Sequence, residues 1–397
     1  MIPGLNKITY LNTTWPVFES DETSAVLKVL QSGKVNYWTG TECREFEREY
    51  AEYLGVKYAI ALHNGTAALE LALYAFGIGA SDEVITTPRT FIASASAAVM
   101  RGAVPIMADV DPVSQNITAQ TIAKVISPRS RAIIAVHLAG YPCDMDEIME
   151  LAAKHNLIVI EDCAQAHGAL YKGKPVGSIG HAGAFSFCQD KIITTGGEGG
   201  LLALNDPEVW AKAWAYKDHG KSYDAVYNRQ HAPGFRWLHE SFGTNWRMLE
   251  VQAAIGRIQL RKLPQWIEQR RANAAVLEEA FLKIPALRVT RVPNDIFHSY
   301  YKYYVFVKQK QLKAGWSRDR IMTEIVALGV PCFSGSCSEI YLEKAFVEAG
   351  LAPTERLPVA KVLGETSLMF LVHPTLSNVD MRSVADVVVE VIQRATH

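Results

Sequence analysis

The first two-thirds of the chain alternates short, fully apolar runs with stretches of helical period. Tyr58–Leu62, Glu83–Thr87, Pro105–Asp109, Ala132–His137 and Leu157–Glu161 read as strands, each too short and too uniformly apolar for a helix. Gly65–Ala75, the small-residue-rich Thr90–Met100, Thr118–Val125 and Asp144–His155 read as the helices between them. Strands apolar on both faces that alternate with helices predict a mostly parallel sheet covered on both sides. Such sheets gather ligand sites at the carboxyl ends of their strands. From Leu249 to Leu282 the pattern becomes long and helical, with an interruption expected at Pro264, and serves as the expected connection between lobes. An aromatic strand at Tyr300–Val307, a helix at Ser317–Leu328 and a closing helix after Asn378 then predict a smaller α+β lobe. The expected division is a large domain over 1–250, including an N-terminal segment, and a linking helix with a small C-terminal domain over 251–397. Lys217 to Trp246 has no period and is rich in Gly, His, Tyr and Asn, and a loop of that length inside a compact protein is usually functional or mobile.

One stretch stands out against this pattern. Between Phe185 and Gly200, Lys191 separates an apolar, serine-bearing run from a loop holding Gly196, Gly197, Gly199 and Gly200. Burying an unpaired ammonium is costly and favours the neutral amine, the form that Schiff-base chemistry with carbonyl compounds needs. The plain alternative is an exposed lysine before an ordinary turn. Three other segments point back to Lys191. His63-Asn64-Gly65-Thr66-Ala67 joins a strand to a helix and would offer backbone N–H groups and the Thr66 hydroxyl to a phosphate, although an ordinary N-cap looks the same. Glu161-Asp162-Cys163-Ala164-Gln165-Ala166-His167-Gly168 follows a strand directly, where a carboxylate would hold a heteroaromatic nitrogen protonated or simply cap a helix. Phe91, after the strand end at Pro88-Arg89, would present a ring face to a flat ligand or pack in the core. Phosphate site, ring platform, carboxylate and lysine are together the parts needed to hold pyridoxal 5′-phosphate (PLP).

Composition narrows the setting rather than the chemistry. A length of 397 residues suggests two lobes, and 49% hydrophobic with 20% charged residues describes an ordinary globular protein. A formal net charge of −1 gives no reason to expect nucleic acid or an acidic membrane surface as partner. No apolar run approaches the roughly 20 residues that span a bilayer. Met1–Pro16 lacks the charged and apolar regions of a secretion signal. Six cysteines without CxxC pairs argue against a disulfide scaffold or a structural zinc site, so no metal is expected and a reducing cytoplasm fits best.

Five motifs in order make the chain resemble the DegT/StrS family of nucleotide-sugar aminotransferases, fold-type I PLP enzymes. They are Gly33-Lys-Val-Asn-Tyr-Trp-Thr-Gly40, the Asn64-Gly-Thr-Ala-Ala-Leu69 turn, Glu161–Gly168, the Lys191 loop and Gly243-Thr-Asn-Trp-Arg-Met248. The resemblance implies a three-layer α/β/α large domain and carries roles to this sequence. Lys191 would bond the cofactor covalently, and Asp162 would pair with its pyridinium nitrogen. Gln165 would contact its phenolic oxygen and Phe91 would stack on its ring. Gly65, Thr66 and Ser186 would hold its phosphate. Asn245 would reach the phosphate of a neighbouring subunit's cofactor, which implies a homodimer with shared sites. The implied reaction moves an amino group from L-glutamate to a keto group of a nucleotide-linked deoxysugar, for surface polysaccharide, O-antigen or another glycan or glycoside. Cationic partners for the sugar's diphosphate are sought in the aperiodic loop, with Lys217, His219, Lys221, Arg236 and Arg247 as candidates. Arg89 stands where the family commonly has a small hydroxyl residue, and Gly335-Ser-Cys-Ser-Glu-Ile-Tyr341 lacks the His-Tyr-x-Pro-x-His pattern of many relatives. Two other readings stay open. A PLP-dependent nucleotide-sugar dehydratase uses the same fold, but with histidine in place of the lysine. A non-catalytic PLP-fold binding or regulatory protein would be marked by loss of the lysine or the carboxylate.

Overall fold

Seven strands form the central sheet of the computed structural model, which describes residues 14–397. Most of Met1–Pro16, where no leader was expected, lies outside the described residues. The first five strands are β1 (Tyr58–Leu62), β2 (Glu83–Thr86), β3 (Val104–Met107), β4 (Ser130–Val136) and β5 (Ile158–Asp162), each within two residues of its expected limits. Ala182–Ser186 and Gly200–Leu204 complete the sheet, in the order β1, Gly200–Leu204, Ala182–Ser186, β5, β4, β2, β3. Gly200–Leu204 runs antiparallel to both neighbours, and every other pair is parallel. Val84, Ile85, Ile133, Ile134, Val159 and Ile160 are fully buried, as a sheet covered on both faces requires. Leu201-Leu-Ala-Leu204 was a legible apolar run, but the glycines before it read as loop.

α1 (Ser20–Ser32) and α2 (Glu42–Leu54) precede the sheet. Phe46, Tyr50 and Leu54 bury one face of α2 at a spacing of four, a stripe visible in the sequence. α3 (Gly65–Ala75) starts three residues after β1 and buries Ala68, Leu71 and Ala72 completely. The expected helix from Thr90 begins only at Ala93, because the Thr90 amide is held by the Cys337 carbonyl at 3.0 Å.

The helix Glu250–Phe281 runs through Pro264 without the expected interruption. A proline inside a helix removes one hydrogen bond and crowds the preceding turn, a penalty of about 3 kcal/mol. Buried Leu260, Leu263 and Ile267 on either side of it keep the helix packed on the large sheet's core. Past Ala274 the same helix packs Leu277 and Phe281 into a second apolar cluster. That cluster covers a four-stranded antiparallel sheet in the order Leu287–Val289, Tyr303–Val307, Ser367–Phe370, Cys332–Phe333. The aromatic strand starts at Tyr303 rather than Tyr300, since Tyr300 sits at φ +47° in a left-handed turn. We propose the two-lobe division at residue 250, with the helix belonging to both cores. Among the described residues, no helix is long and apolar enough to cross a membrane.

Candidate active site

Two adjoining chambers open where β5, Ala182–Ser186 and the start of α3 come together. The inner one, about 420 Å³, is lined by Gly65, Thr66, Phe91, Asp162, Gln165, Ser186 and Lys191. The outer one, about 620 Å³, shares Thr90, Phe91, Gln165, Asp190 and Lys191 with it and extends to Tyr301, Lys302, Tyr304 and Gly335-Ser336-Cys337. The parallel sheet thus directs seven expected residues from four separate segments into one cavity at its carboxyl edge.

Asp162 is the last residue of β5 and is buried. Ser94 Oγ donates to its Oδ2 at 2.7 Å and the Ala164 amide to its Oδ1 at 3.1 Å. Burial pushes its carboxyl above the usual carboxylate range, and those two hydrogen bonds only partly offset the shift. A buried carboxylate in this condition favours a cation beside it. Its neighbour Glu161 points to the other face of the strand and is saturated. Its oxygens accept from the amides of Gly177 at 2.8 Å, Ile179 at 2.8 Å and Gly180 at 2.6 Å, and from His137 Nε2 at 3.0 Å. His137 Nδ1 accepts from the Cys143 amide at 3.0 Å, which leaves Nε2 as the protonated donor. Glu161 is therefore a strut between strands rather than a cavity group. The cluster of His137, Glu161 and Cys163 has ligand-type atoms close together, but the histidine and carboxylate are already committed to these bonds.

Asn64, not Thr66, caps α3, its side chain accepting from the Ala67 amide at 2.8 Å. The first amides of the helix, at Gly65 and Thr66, have no acceptor within it and face the cavity. A Cβ on Gly65 would come within 2.6 Å of Ser186 Cβ, so glycine is what lets the helix start touch the strand that carries Ser186. Ser186 is held from behind by His167. The Tyr50 hydroxyl donates to His167 Nδ1 at 2.8 Å, and His167 Nε2 donates to the Ser186 carbonyl at 2.8 Å. Burial pushes the His167 pKa down to about 4, so the ring is neutral and acts as a spacer.

Gln165 Oε1 accepts from the Ala139 amide at 2.8 Å, which fixes the amide orientation and leaves Nε2 as a donor on the cavity side. Ala139 reaches that position with φ +58°, an uncommon left-handed conformation for alanine. The Phe91 ring is 67% exposed at the junction of the chambers, the state of a platform rather than of a core residue.

Lys191 is neither an exposed lysine nor a wholly buried one, with a side chain 16% exposed. Its Nζ lies 3.5 Å from the Tyr301 hydroxyl and 3.5 Å from Asp190 Oδ1. Tyr301 in turn donates to Asp190. Burial alone would raise the Asp190 pKa, but Lys191, the Tyr301 hydroxyl and Lys302 together hold it below the usual range. Trp15 Nε1 closes the network by donating to the Lys191 carbonyl at 2.8 Å. Asp190, Tyr301 and Ser94 were not foreseen. Only Asp190 carried a sequence signal, its adjacency to Lys191.

The candidates from the aperiodic segment do not reach either chamber of the same chain. Lys217 is fully buried, 3.6 Å from Glu47 and 3.6 Å from the centre of the Tyr37 ring, and is a core cation rather than a surface one. Arg247 is bound to buried Asp218 at 2.5 Å, and Lys221 to the same carboxylate at 3.3 Å. His219, Arg236 and Asn245 are exposed. The segment also contains one short helix, Tyr223–Tyr227, that its composition did not announce. Arg89 is wholly buried beneath Tyr304, its Nε donating to Gln115 Oε1 at 3.0 Å. It supports the wall of the outer chamber rather than lining it.

Comparison with known proteins agrees with this geometry. A sequence model of the DegT/DnrJ/EryC1/StrS aminotransferase family matches residues 16–389. A GDP-perosamine synthase of Caulobacter vibrioides is 35% identical over 95% of this chain and 97% of its own. A dTDP-3-amino-3,4,6-trideoxy-alpha-D-glucose transaminase of Streptomyces venezuelae is 32% identical, covering 97% of this chain and 95% of its own. The crystal structure of an aminotransferase from Psychrobacter cryohalolentis superimposes with a TM-score of 0.95 at 59% identity, covering 96% of this chain and 99% of its own.

Proposed function

The chain belongs to the DegT/DnrJ/EryC1/StrS aminotransferase family, and from that premise we propose that it is a PLP-dependent aminotransferase that moves the amino group of L-glutamate to a keto group on a nucleotide-linked sugar. The observation that carries the reading is Asp162, a buried carboxylate with a raised pKa, in the same cavity as Lys191.

The residues present fit the cofactor. Asp162 offers a counter-charge for a protonated ring nitrogen, and Gln165 Nε2 a donor for the phenolic oxygen. The first amides of α3 and the Ser186 hydroxyl offer a phosphate cradle at a helix N-terminus. Phe91 offers a ring face. PLP bound there supplies the electron sink that transamination needs. The protein's own part is positioning and proton transfer. Lys191 Nζ takes the proton from the donor's Cα and later returns one to the acceptor carbon, acting as base and then acid. Asp190 and Tyr301 hold that nitrogen at the junction of the chambers. In a ping-pong sequence, donor and acceptor use the outer chamber in turn.

The relatives' names support a nucleotide-linked sugar as acceptor, and they differ in the nucleotide. Lys191 disfavours the dehydratase reading, and the presence of both Lys191 and Asp162 disfavours a binding protein without catalysis. A homodimer is part of the proposal. Asn245 is exposed and outside its own chain's chambers, and the same segment exposes Phe235, Trp237 and Phe242 at 74%, 78% and 97%. An apolar stretch of this kind favours coverage by another surface. Mixing Lys191→Ala and Asn245→Ala chains would restore one intact site per mixed dimer if Asn245 acts on its partner's site. Recovery of no activity would sink that part.

The deciding experiment incubates the purified protein with L-glutamate and a panel of keto-sugar nucleotides, with products identified by mass spectrometry and NMR. Amination of one sugar is expected. Amination of simple α-keto acids alone would remove the sugar assignment.

A further inference from the structure

The outer chamber holds one cation that the mechanism above leaves unused. Lys302 sits one residue before the strand Tyr303–Val307, and its Nζ lies 4.6 Å from the centre of the Tyr301 ring. Lys191 Nζ lies 5.0 Å from the same ring centre, so both amines are placed against Tyr301 and both residues line the outer chamber. Among the described residues lining either chamber, Lys191 and Lys302 are the only cations, against the carboxylates Asp162, Asp190, Glu198 and Glu343. Among the described residues neither a hydrogen bond nor an ion pair engages Lys302 Nζ, and the residue lines the outer chamber. Burial pushes its pKa down to about 8, with Arg270 and Lys191 adding to the effect and Asp190 opposing it. A half-buried amine with no direct ion pair favours an anion in the space it faces.

We propose that Lys302 binds a carboxylate of the amino donor. This rests on the aminotransferase reading, since it is the donor amino acid that brings an anionic group one bond from the carbon that loses its proton. That carbon must lie beside Lys191 Nζ, so its carboxylate comes to rest within the outer chamber. Lys191 is occupied by the proton transfer, and Asp190 on its other side repels a carboxylate. Lys302 is then the remaining cation among the described residues that line the chamber. The diphosphate of a nucleotide sugar hangs on C1, at least two ring bonds from a C3 or C4 keto carbon, whereas the donor's carboxylate is bonded directly to the reacting carbon. The two substrates thus make different demands on Lys302, and a ping-pong enzyme lets them be measured separately.

The test is rapid mixing of the PLP-loaded enzyme with L-glutamate and no acceptor, followed through the visible absorption of the cofactor. The second half-reaction is measured with the aminated enzyme and its keto-sugar nucleotide. Lys302→Met is expected to weaken saturation by glutamate about 10- to 100-fold, the range lost with one charge-assisted hydrogen bond. Lys302→Arg restores part of it. Binding of glutarate, an unreactive dicarboxylate, measured by calorimetry on the loaded enzyme, is lost in Lys302→Met and retained in Lys302→Arg. Unchanged glutamate and glutarate binding in Lys302→Met overturns the proposal. A selective loss in the acceptor half-reaction also overturns it and assigns Lys302 to the phosphates. A fall in the maximal rates of both half-reactions with unchanged saturation overturns it as well, leaving Lys302 a support for Tyr301. If wild-type enzyme fails to react with glutamate, the donor assignment falls. The loss of glutarate binding still decides whether Lys302 recognises a carboxylate.

Discussion

The inner chamber is floored by the ends of regular elements, whereas the outer chamber is walled by turns and by side chains from the smaller sheet. Asp162 ends a strand, Gly65 and Thr66 begin a helix, and Ser186 ends another strand. Each is positioned by the regular element that it ends or begins, with the Gly65 and Thr66 amides left without an acceptor inside the helix. In the outer chamber Tyr304 is fixed by the Ser336 amide at 2.8 Å, the Thr90 amide by Cys337, and the Ile340 amide by the Pro88 carbonyl at 3.0 Å. These contacts join loops far apart in sequence. The difference teaches which chamber is constant and which is adjustable. A scaffold of element ends holds a fixed cofactor, and loop-to-loop contacts can be altered without unfolding it.

The largest effect is expected at the junction. Lys191→Ala should reduce transamination at least about 10³-fold, because it removes both the attachment point and the proton carrier. The visible band that the covalent link to Lys191 gives the loaded protein should be lost with it. An unchanged band in that variant would break the assignment of the inner chamber altogether.

The next contrast is between two adjacent residues of β5. Asp162→Asn keeps the shape of the side chain but removes its charge, and should lower the maximal rate about 10²- to 10³-fold through loss of electrostatic stabilisation. Its melting temperature should stay near that of the wild type or rise, since burial already disfavours that charge. Glu161→Gln should do the opposite. Four donors converge on Glu161, and an amide NH₂ among them leaves buried groups unpaired at a penalty of about 2–4 kcal/mol. Stability should fall while the surviving protein turns over at close to the normal rate. Equal effects of the two substitutions on rate would erase the distinction between the strand's two faces.

A smaller effect tests the adjustable wall. Gly335 has φ +93°, and a Cβ there would run into the Tyr304 ring. Gly335→Ala should move Tyr304 and lower kcat/KM for the sugar acceptor about 10-fold, roughly 1.4 kcal/mol in transition-state binding. Cofactor retention should be unaffected. A variant that loses cofactor instead would mean that the two chambers are not mechanically separate.

The sequence made the inner chamber legible for the same reason that it is rigid. Gly65-Thr66, Asp162 and Lys191 each lie within a few residues of a strand or helix end, so local pattern alone places them on one edge of the sheet. Tyr301 and Lys302 gave no such signal. They sit in a run of aromatic residues that reads as core, and their role depends on a long-range contact with Asp190 that no periodicity reports. Lys217 shows the reverse error. A lysine in an aperiodic segment reads as solvated, yet here Glu47 and the Tyr37 and Trp214 rings enclose it. The passage of the helix through Pro264 was hidden likewise, because the buried leucines that hold it act from other parts of the fold.

The weakest expected effect concerns pH and again separates scaffold from site. Burial depresses the pKa of His167 to about 4, and those of His298 and His373 to about 3. An unfolded histidine titrates near 6.5, so below that pH the unfolded chain binds protons that the folded chain refuses. The stability these rings contribute is complete above about pH 6.5 and falls progressively as the pH drops toward 3, by on the order of a few kcal/mol for a fully buried ring. Melting temperatures measured across that window should decline with acid. His167→Gln should flatten part of the slope. The same substitution loosens the hold on the Ser186 carbonyl, so cofactor retention at neutral pH should weaken modestly while saturation by the sugar acceptor does not change. If retention is unaffected, the Tyr50–His167 pair stabilises the fold alone, and the phosphate side of the inner chamber rests on Gly65 and the helix start.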